Sequence, residues 1–135
     1  MKSIKDILFT IILAVCLILF IKSYVLDFRV VASESMSPTL EKGDVIIISK
    51  LAYDIFGIGY KNPDFSDIVT FKHDEDLLIK RVKDVSSEGD LFVVGDNADN
   101  SFDSRNFGYI SKDNLDGKAI IKINFRTLSF AFLDD

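Results

Sequence analysis

The sequence predicts a mostly β domain, a β-barrel or two packed sheets, preceded by one N-terminal membrane-spanning helix. Three observations carry this. An uncharged apolar run, Ile7 to Ile21, stands near the start of the chain. After it, apolar residues come in short bursts rich in Val, Ile and Phe and bounded by Gly, Asp, Asn or Ser. That is the pattern of strands joined by turns. Beyond the run no stretch sustains an apolar stripe at helical spacing, so helices are not expected to build the core.

In the apolar run only Thr10 and Cys16 are neither aliphatic nor aromatic. About 20 apolar residues cross a bilayer. Tyr24, Val25 and Leu26 bring the run to that length if Lys22 snorkels its ammonium to the interface. Lys2 and Lys5 precede it, which favours a cytoplasmic N-terminus. A cleaved signal peptide also begins this way. Here, though, the stretch Tyr24-Val25-Leu26-Asp27-Phe28-Arg29 is too bulky for a cleavage region, and Val30-Val31-Ala32 is a poor cleavage site. An uncleaved anchor is expected.

The expected strands are Phe28 to Ala32, Asp44 to Ser49, Ile68 to Phe71, Leu77 to Val85, Leu91 to Val94 and Ala119 to Phe125. Leu51 to Phe56 has room for one or two helical turns. Lys118 to Phe125 alternates, placing Ala119, Ile121, Ile123 and Phe125 on one face. With the anchor set aside, roughly 105–110 residues remain, enough for one compact β core. A net charge of −5 argues against nucleic acid as a partner, since no basic patch would meet phosphate. The single cysteine excludes an intrachain disulfide and a cysteine-built zinc site.

Three segments carry chemistry. In Ser33-Glu34-Ser35-Met36-Ser37-Pro38-Thr39-Leu40, two serines spaced by two share one side of an extended chain, and Pro38 fixes a turn. One hydroxyl can then meet a carbonyl while the other serves as an oxyanion donor. A serine-rich turn before proline reads the same way. In Leu77-Leu78-Ile79-Lys80-Arg81-Val82, Lys80 lies among aliphatic neighbours that lower its proton affinity toward the range of a general base. An edge-strand lysine that blocks aggregation is the alternative. In Gly95-Asp96-Asn97-Ala98-Asp99-Asn100-Ser101-Phe102-Asp103-Ser104-Arg105, the acidic spacing does not fit a calcium loop, so no metal is expected. An Asp103–Arg105 ion pair stiffening the loop is.

Taken in order, these segments resemble the conserved boxes of the bacterial type I signal peptidase family, serine–lysine peptidases of family S26. The first resembles the S-x-S-M-x-P-T-L box. Gly43-Asp44 follows as its glycine-aspartate turn, and Ser66-Asp67-Ile68-Val69-Thr70-Phe71 is similar to G-D-I-V-x-F. Ile79-Lys80-Arg81-Val82 resembles the lysine box, and Gly95-Asp96-Asn97 to Gly108 the G-D-N-x-x-x-S-x-D-S-R-x-x-G box. The resemblance spans roughly Phe28 to Ile121.

It implies a signal peptide-removing endopeptidase with Ser35 as nucleophile and Lys80 as base. Ser33, through its hydroxyl, and Ser35, through its N–H, would hold the oxyanion. Ser101 would orient the Lys80 amine, and Asp103 and Arg105 would support the loop. Substrate would lie as an extended strand between Phe28–Ser33 and Leu77–Lys80. Val31, Met36 and Ile79 would line a pocket for small side chains at −1 and −3. No cofactor is implied; the partners are signal-peptide-bearing preproteins and the lipid bilayer. Residues 1–26 would be the cytoplasmic tip and anchor, and 27–135 the catalytic domain on the extracytoplasmic side of the cell membrane.

The chain departs from the family pattern at Ala98, where many members carry arginine, and at Lys83 to Asp90, which replaces a glycine-proline turn. It also lacks a second-domain insertion between Lys80 and Gly95. Lys80, where endoplasmic-reticulum relatives have histidine, argues for the bacterial subtype. His73 lies outside every box and reads as a surface residue. The rival functions are a dedicated processing peptidase for one secreted partner, a self-cleaving repressor-type protease, and an inactive membrane-tethered peptide-binding β domain.

Overall fold

The computed structural model describes residues 3–55 and 57–133. Lys2, at the expected cytoplasmic tip, and Phe56, at the end of the expected helical turn, lie outside them.

Helix α1 (Ile4–Tyr24) is closed at its start by a capping box: Ser3 accepts from the first-turn amides and the Asp6 carboxylate accepts from the Ser3 N–H at 3.0 Å. Its 21 residues span about 31 Å at 1.5 Å per residue, the thickness of a bilayer's hydrocarbon core. None is buried against the rest of the chain. Tyr24 belongs to the helix as expected, but Val25 caps it and Leu26 already opens β1 (Leu26–Val30). The helix therefore feeds straight into the sheet, and Lys50 fastens the junction by donating to the Ser23 carbonyl at 3.2 Å.

The main sheet has seven strands: β1, β2 (Val45–Ser49), β5 (Ile68–His73), β6 (Asp76–Val85), β7 (Leu91–Val94), β8 (Leu115–Asn124) and β9 (Ser129–Phe132). The order is β1-β2-β8-β5-β6-β7, antiparallel throughout, and β9 pairs with the C-terminal half of β8. Where a helical turn was expected at Leu51 to Phe56, a short hairpin forms instead, β3 (Asp54–Ile55) with β4 (Ile58–Gly59). The β-branched Ile55 and Ile58 face each other across it, and Gly57 takes the φ of +88° that the turn requires.

The fold is mostly β, but the sheet does not close into a barrel. Among the described residues the outer edge of β1 is unpaired, and the Asp76–Lys80 half of β6 pairs with β5 alone, β7 joining only from Arg81 onward. A cleft of about 210 Å³ separates these two free edges.

Both faces of the central strand β5 are covered, which is why Ile68, Val69, Thr70 and Phe71 are all buried. One core cluster holds Val31, Met36, Leu40, Ile46, Ile48, Ile68 and Ala119, with Ile79 packed on it. The other holds Tyr53, Val69, Phe71, Val82, Leu91, Val93 and Ile110, with Leu78 and Phe107 against it. The alternation expected along β8 is interrupted. A bulge opposite Ile47 and Ile48 puts Ala119 beside Ile48 in the core but pairs Ile121 with Ile47 and Ile123 with Val45. The rows Phe28–Ile47–Ile121–Phe132 and Val30–Val45–Ile123–Phe130 thus make one apolar sheet face. Its four outer members are more than half exposed.

Candidate active site

β1 gives way at Val31 to a tight turn carrying Ser33 and Ser35, and the Ser37–Pro38 peptide is cis. Ser33 and Ser35 lie on this turn rather than on an extended strand, yet their hydroxyls meet at 3.1 Å. The turn is held from across the site: the Asn97 N–H donates to the Ser35 carbonyl at 3.0 Å and its amide to the Glu34 carbonyl at 3.1 Å. Ser35 is buried, while its own N–H donates to no other group among the described residues.

Strand β6 delivers Lys80 to this serine. The Lys80 Nζ lies 2.9 Å from Ser35 Oγ and 3.0 Å from the Ile79 carbonyl. Only 4% of Lys80 is exposed. Burial holds its amine below the ordinary lysine range, and the nearby Asp103 carboxylate opposes that shift in part. A hydroxyl and a desolvated amine in hydrogen-bond contact are the ingredients of base-assisted nucleophilic attack.

The third segment packs behind them. Asp103 is fully buried. It caps α2 (Ser104–Phe107) and accepts from the Gly95 N–H at 2.8 Å, the Ser101 hydroxyl at 2.7 Å and the Arg105 guanidinium at 2.7 and 2.9 Å. Burial pushes its carboxyl upward, but Arg105, Gly95 and Ser101 outweigh that and hold it well below the usual carboxylate range. The ion pair read from the sequence is present. Ser101, assigned above to the Lys80 amine, rests on Asp103 instead, and no hydrogen bond joins it to Lys80 among the described residues. Gly95 is where the two halves of the site touch: a Cβ there would lie 2.2 Å from Ser101 Oγ and 2.5 Å from the Ser35 carbonyl.

A second network was not foreseen. Arg81 grips Asp96 through Nε at 2.8 Å and Nη2 at 2.6 Å, and donates to the Ser66 carbonyl at 3.0 Å. The Thr39 hydroxyl donates to Asp96 at 2.6 Å, and Lys122 holds the Thr39 carbonyl at 2.8 Å. These residues tie the serine turn, the lysine strand and the Gly95–Asn97 loop to one another. Their signal was adjacency alone: Arg81 follows Lys80, and Asp96 follows Gly95.

Of the expected pocket residues, Val31 and Ile79 line the cleft between β1 and β6, together with Ser33 and Lys80. Met36 is fully buried in the cluster beneath. His73, expected at the surface, is 27% exposed in its side chain and stacks on Phe107 with ring centroids 4.2 Å apart.

A family model described as "Signal peptidase, peptidase S26" matches residues 4–86 and 83–124. The chain belongs to the signal peptidase family. A signal peptidase I from Leptolyngbya laminosa is 30% identical over 84% of this chain and 76% of its own length. One from Bacillus caldolyticus is 28% identical over 88% and 91%. Proteins of Staphylococcus aureus named inactive signal peptidase IA are 24% identical over 90% and 92%. These alignments run over 159 to 166 positions, longer than the 135 residues here, so such relatives carry segments that this signal peptidase family member lacks.

Proposed function

We propose that the chain is a membrane-bound serine endopeptidase that removes N-terminal signal peptides from exported preproteins after small residues at −1 and −3. The observation that carries this is the 2.9 Å contact between a buried Lys80 amine and Ser35 Oγ. The family includes proteins named inactive, so the reading of turnover rests on this pair rather than on membership.

Neutral Lys80 accepts the Ser35 proton as Oγ attacks the scissile carbonyl. The Ser33 hydroxyl, 3.1 Å from Ser35 Oγ, and the uncommitted Ser35 N–H stabilise the oxyanion. The Lys80 ammonium then protonates the leaving amine, and the same amine activates the water that frees the acyl-enzyme. Asp103 and Arg105 hold the loop, and Ser101 orients Lys80 through the Asp103 carboxylate on which it rests.

The substrate enters as the missing strand. Between the unpaired edge of β1 and the free half of β6 there is room for one extended peptide, whose main chain would bond to both. Val31 and Ile79, over Met36, leave space there for small side chains. Residues 1–26 form the cytoplasmic tip and anchor, and 27–135 the extracytoplasmic catalytic domain. Two features support a lipid-facing position: α1 is long and apolar enough to cross a membrane, and it runs directly into the strand that starts the exposed apolar face. Such a face of several large side chains is unusual for a surface bathed only in water.

The test is cleavage of a preprotein by the purified full chain. Cutting after a small −1 residue, abolished in Ser35→Ala, is expected. Absence of cleavage by the unaltered chain, or its survival in Ser35→Ala, would overturn the reading.

A further inference from the structure

An aromatic cluster stands beside the site with no part in the chemistry above. Phe102 directly follows Ser101, yet it is 60% exposed. Its ring is not loose: Phe107 packs on it at 5.3 Å and His73 at 6.0 Å, and His73 and Phe107 stack on each other. Phe107 rests in turn on Phe71, which pairs with Leu78 of β6. Leu78 lines the substrate cleft. The exposed ring is therefore braced from behind and linked by packing, through Phe107 and the buried Phe71, to Leu78 in the cleft wall.

The faces of β6 say which substrate residues would meet it. Ile79 packs on the cluster that contains Val31 and Met36, whereas Leu78 packs on the opposite one, with Phe107. An extended peptide added beside β6 alternates in the same way. If its −1 and −3 side chains enter the Val31–Ile79 pocket, those at −2 and −4 point to the face of Leu78 and Phe107.

We infer that Phe102, braced by His73 and Phe107, is a specificity-determining ledge that contacts the −2 or −4 side chain of the substrate and favours apolar or aromatic residues there. This rests on the substrate pose proposed above. The reason for bracing is energetic: a ring already immobilised pays little ordering entropy when a ligand packs on it.

The experiment uses the full-length chain and a peptide panel with small residues at −1 and −3, and Ser, Leu or Phe at −2 or −4. For the unaltered chain, kcat/KM should favour Leu or Phe over Ser at one of the two positions. Phe102→Ala should cut that preference roughly three- to tenfold. His73→Ala should cut it partly, and His73→Phe should restore it. An equal loss across all peptides would mean a structural role only, and an unchanged ratio would refute the ledge. Binding of the same peptides to Ser35→Ala reads the same ratio without turnover. A chain that binds with the predicted ratio but never cuts keeps the ledge and loses the peptidase reading.

Discussion

Replacing Gly95 by alanine places one methyl group between the two halves of the site. The new Cβ would stand 2.2 Å from Ser101 Oγ, 2.6 Å from Ser101 Cβ and 2.5 Å from the Ser35 carbonyl oxygen, where ordinary contact begins near 3.4 Å. One obstacle is backbone and the other is a side chain held by Asp103, so neither yields freely. The Ser35 turn and the Ser101 loop must part by roughly 1 Å. Such overpacking costs about 1–3 kcal/mol, at about 4–8 °C of Tm per kcal/mol for a domain of this size. A 1 Å misplacement of reacting groups costs about 100-fold in rate. Melting temperature and kcat/KM on one preprotein would be measured together. Gly117→Ala is the comparator: its Cβ would meet the Ser49 carbonyl at 2.6 Å and Ile48 at 2.7 Å, away from Ser35. It should lose stability without a matching loss of kcat/KM. Near-normal activity in Gly95→Ala, or the same kinetic loss in both variants, would refute the reasoning.

Further expectations concern the supports. Asp103→Asn replaces a buried carboxylate that accepts from the Gly95 and Arg105 N–H groups, the Ser101 hydroxyl and the Arg105 guanidinium, and should cost about 2 kcal/mol at neutral pH. Because that carboxyl is held below its unfolded value, its stabilisation is complete above about pH 4 and fades as pH falls. Urea melts at pH 7 and pH 3 should show the gap between variant and parent narrowing. Ser66 sits at φ +76°, where a side chain is strained, while its carbonyl and N–H serve Arg81 and Val82. Ser66→Gly keeps both bonds and should gain about 0.5–1 kcal/mol; a loss would show that the Ser66 side chain matters.

Much of this was legible in the sequence because each element announces itself locally. Leu91–Val94 is flanked by turn residues, and β2 and β6 are dense in β-branched and apolar residues. The order of Ser33, Ser35, Lys80, Ser101 and Asp103 was likewise visible. What the chain does not print is anything decided by a partner strand. The β8 bulge, which turns Ile121 and Ile123 away from Ala119, depends on register with β2. The hairpin at Asp54–Gly59 replaces a helical turn because Ile55 and Ile58 find each other across Gly57. The open edge that denies the barrel depends on which strands pair, and the Arg81–Asp96–Thr39 network and the stacking of His73 on Phe107 join residues distant in sequence. Ser101 was assigned a bond to Lys80, but Asp103, two residues away, offers its hydroxyl a charged acceptor at 2.7 Å.

The central claim is that the buried Lys80 amine is the base for Ser35, and the pH dependence of kcat/KM tests it most directly. Burial holds the amine below the ordinary lysine range. Only its neutral form can take a proton, so cleavage should rise with pH from 6 toward 10 through a limb lying below the ordinary value of about 10.4. Lys80→Met, which keeps the stem and removes the amine, should abolish cleavage across that range with the fold intact by circular dichroism. A flat profile in the unaltered chain, or undiminished cleavage in Lys80→Met, would contradict the account.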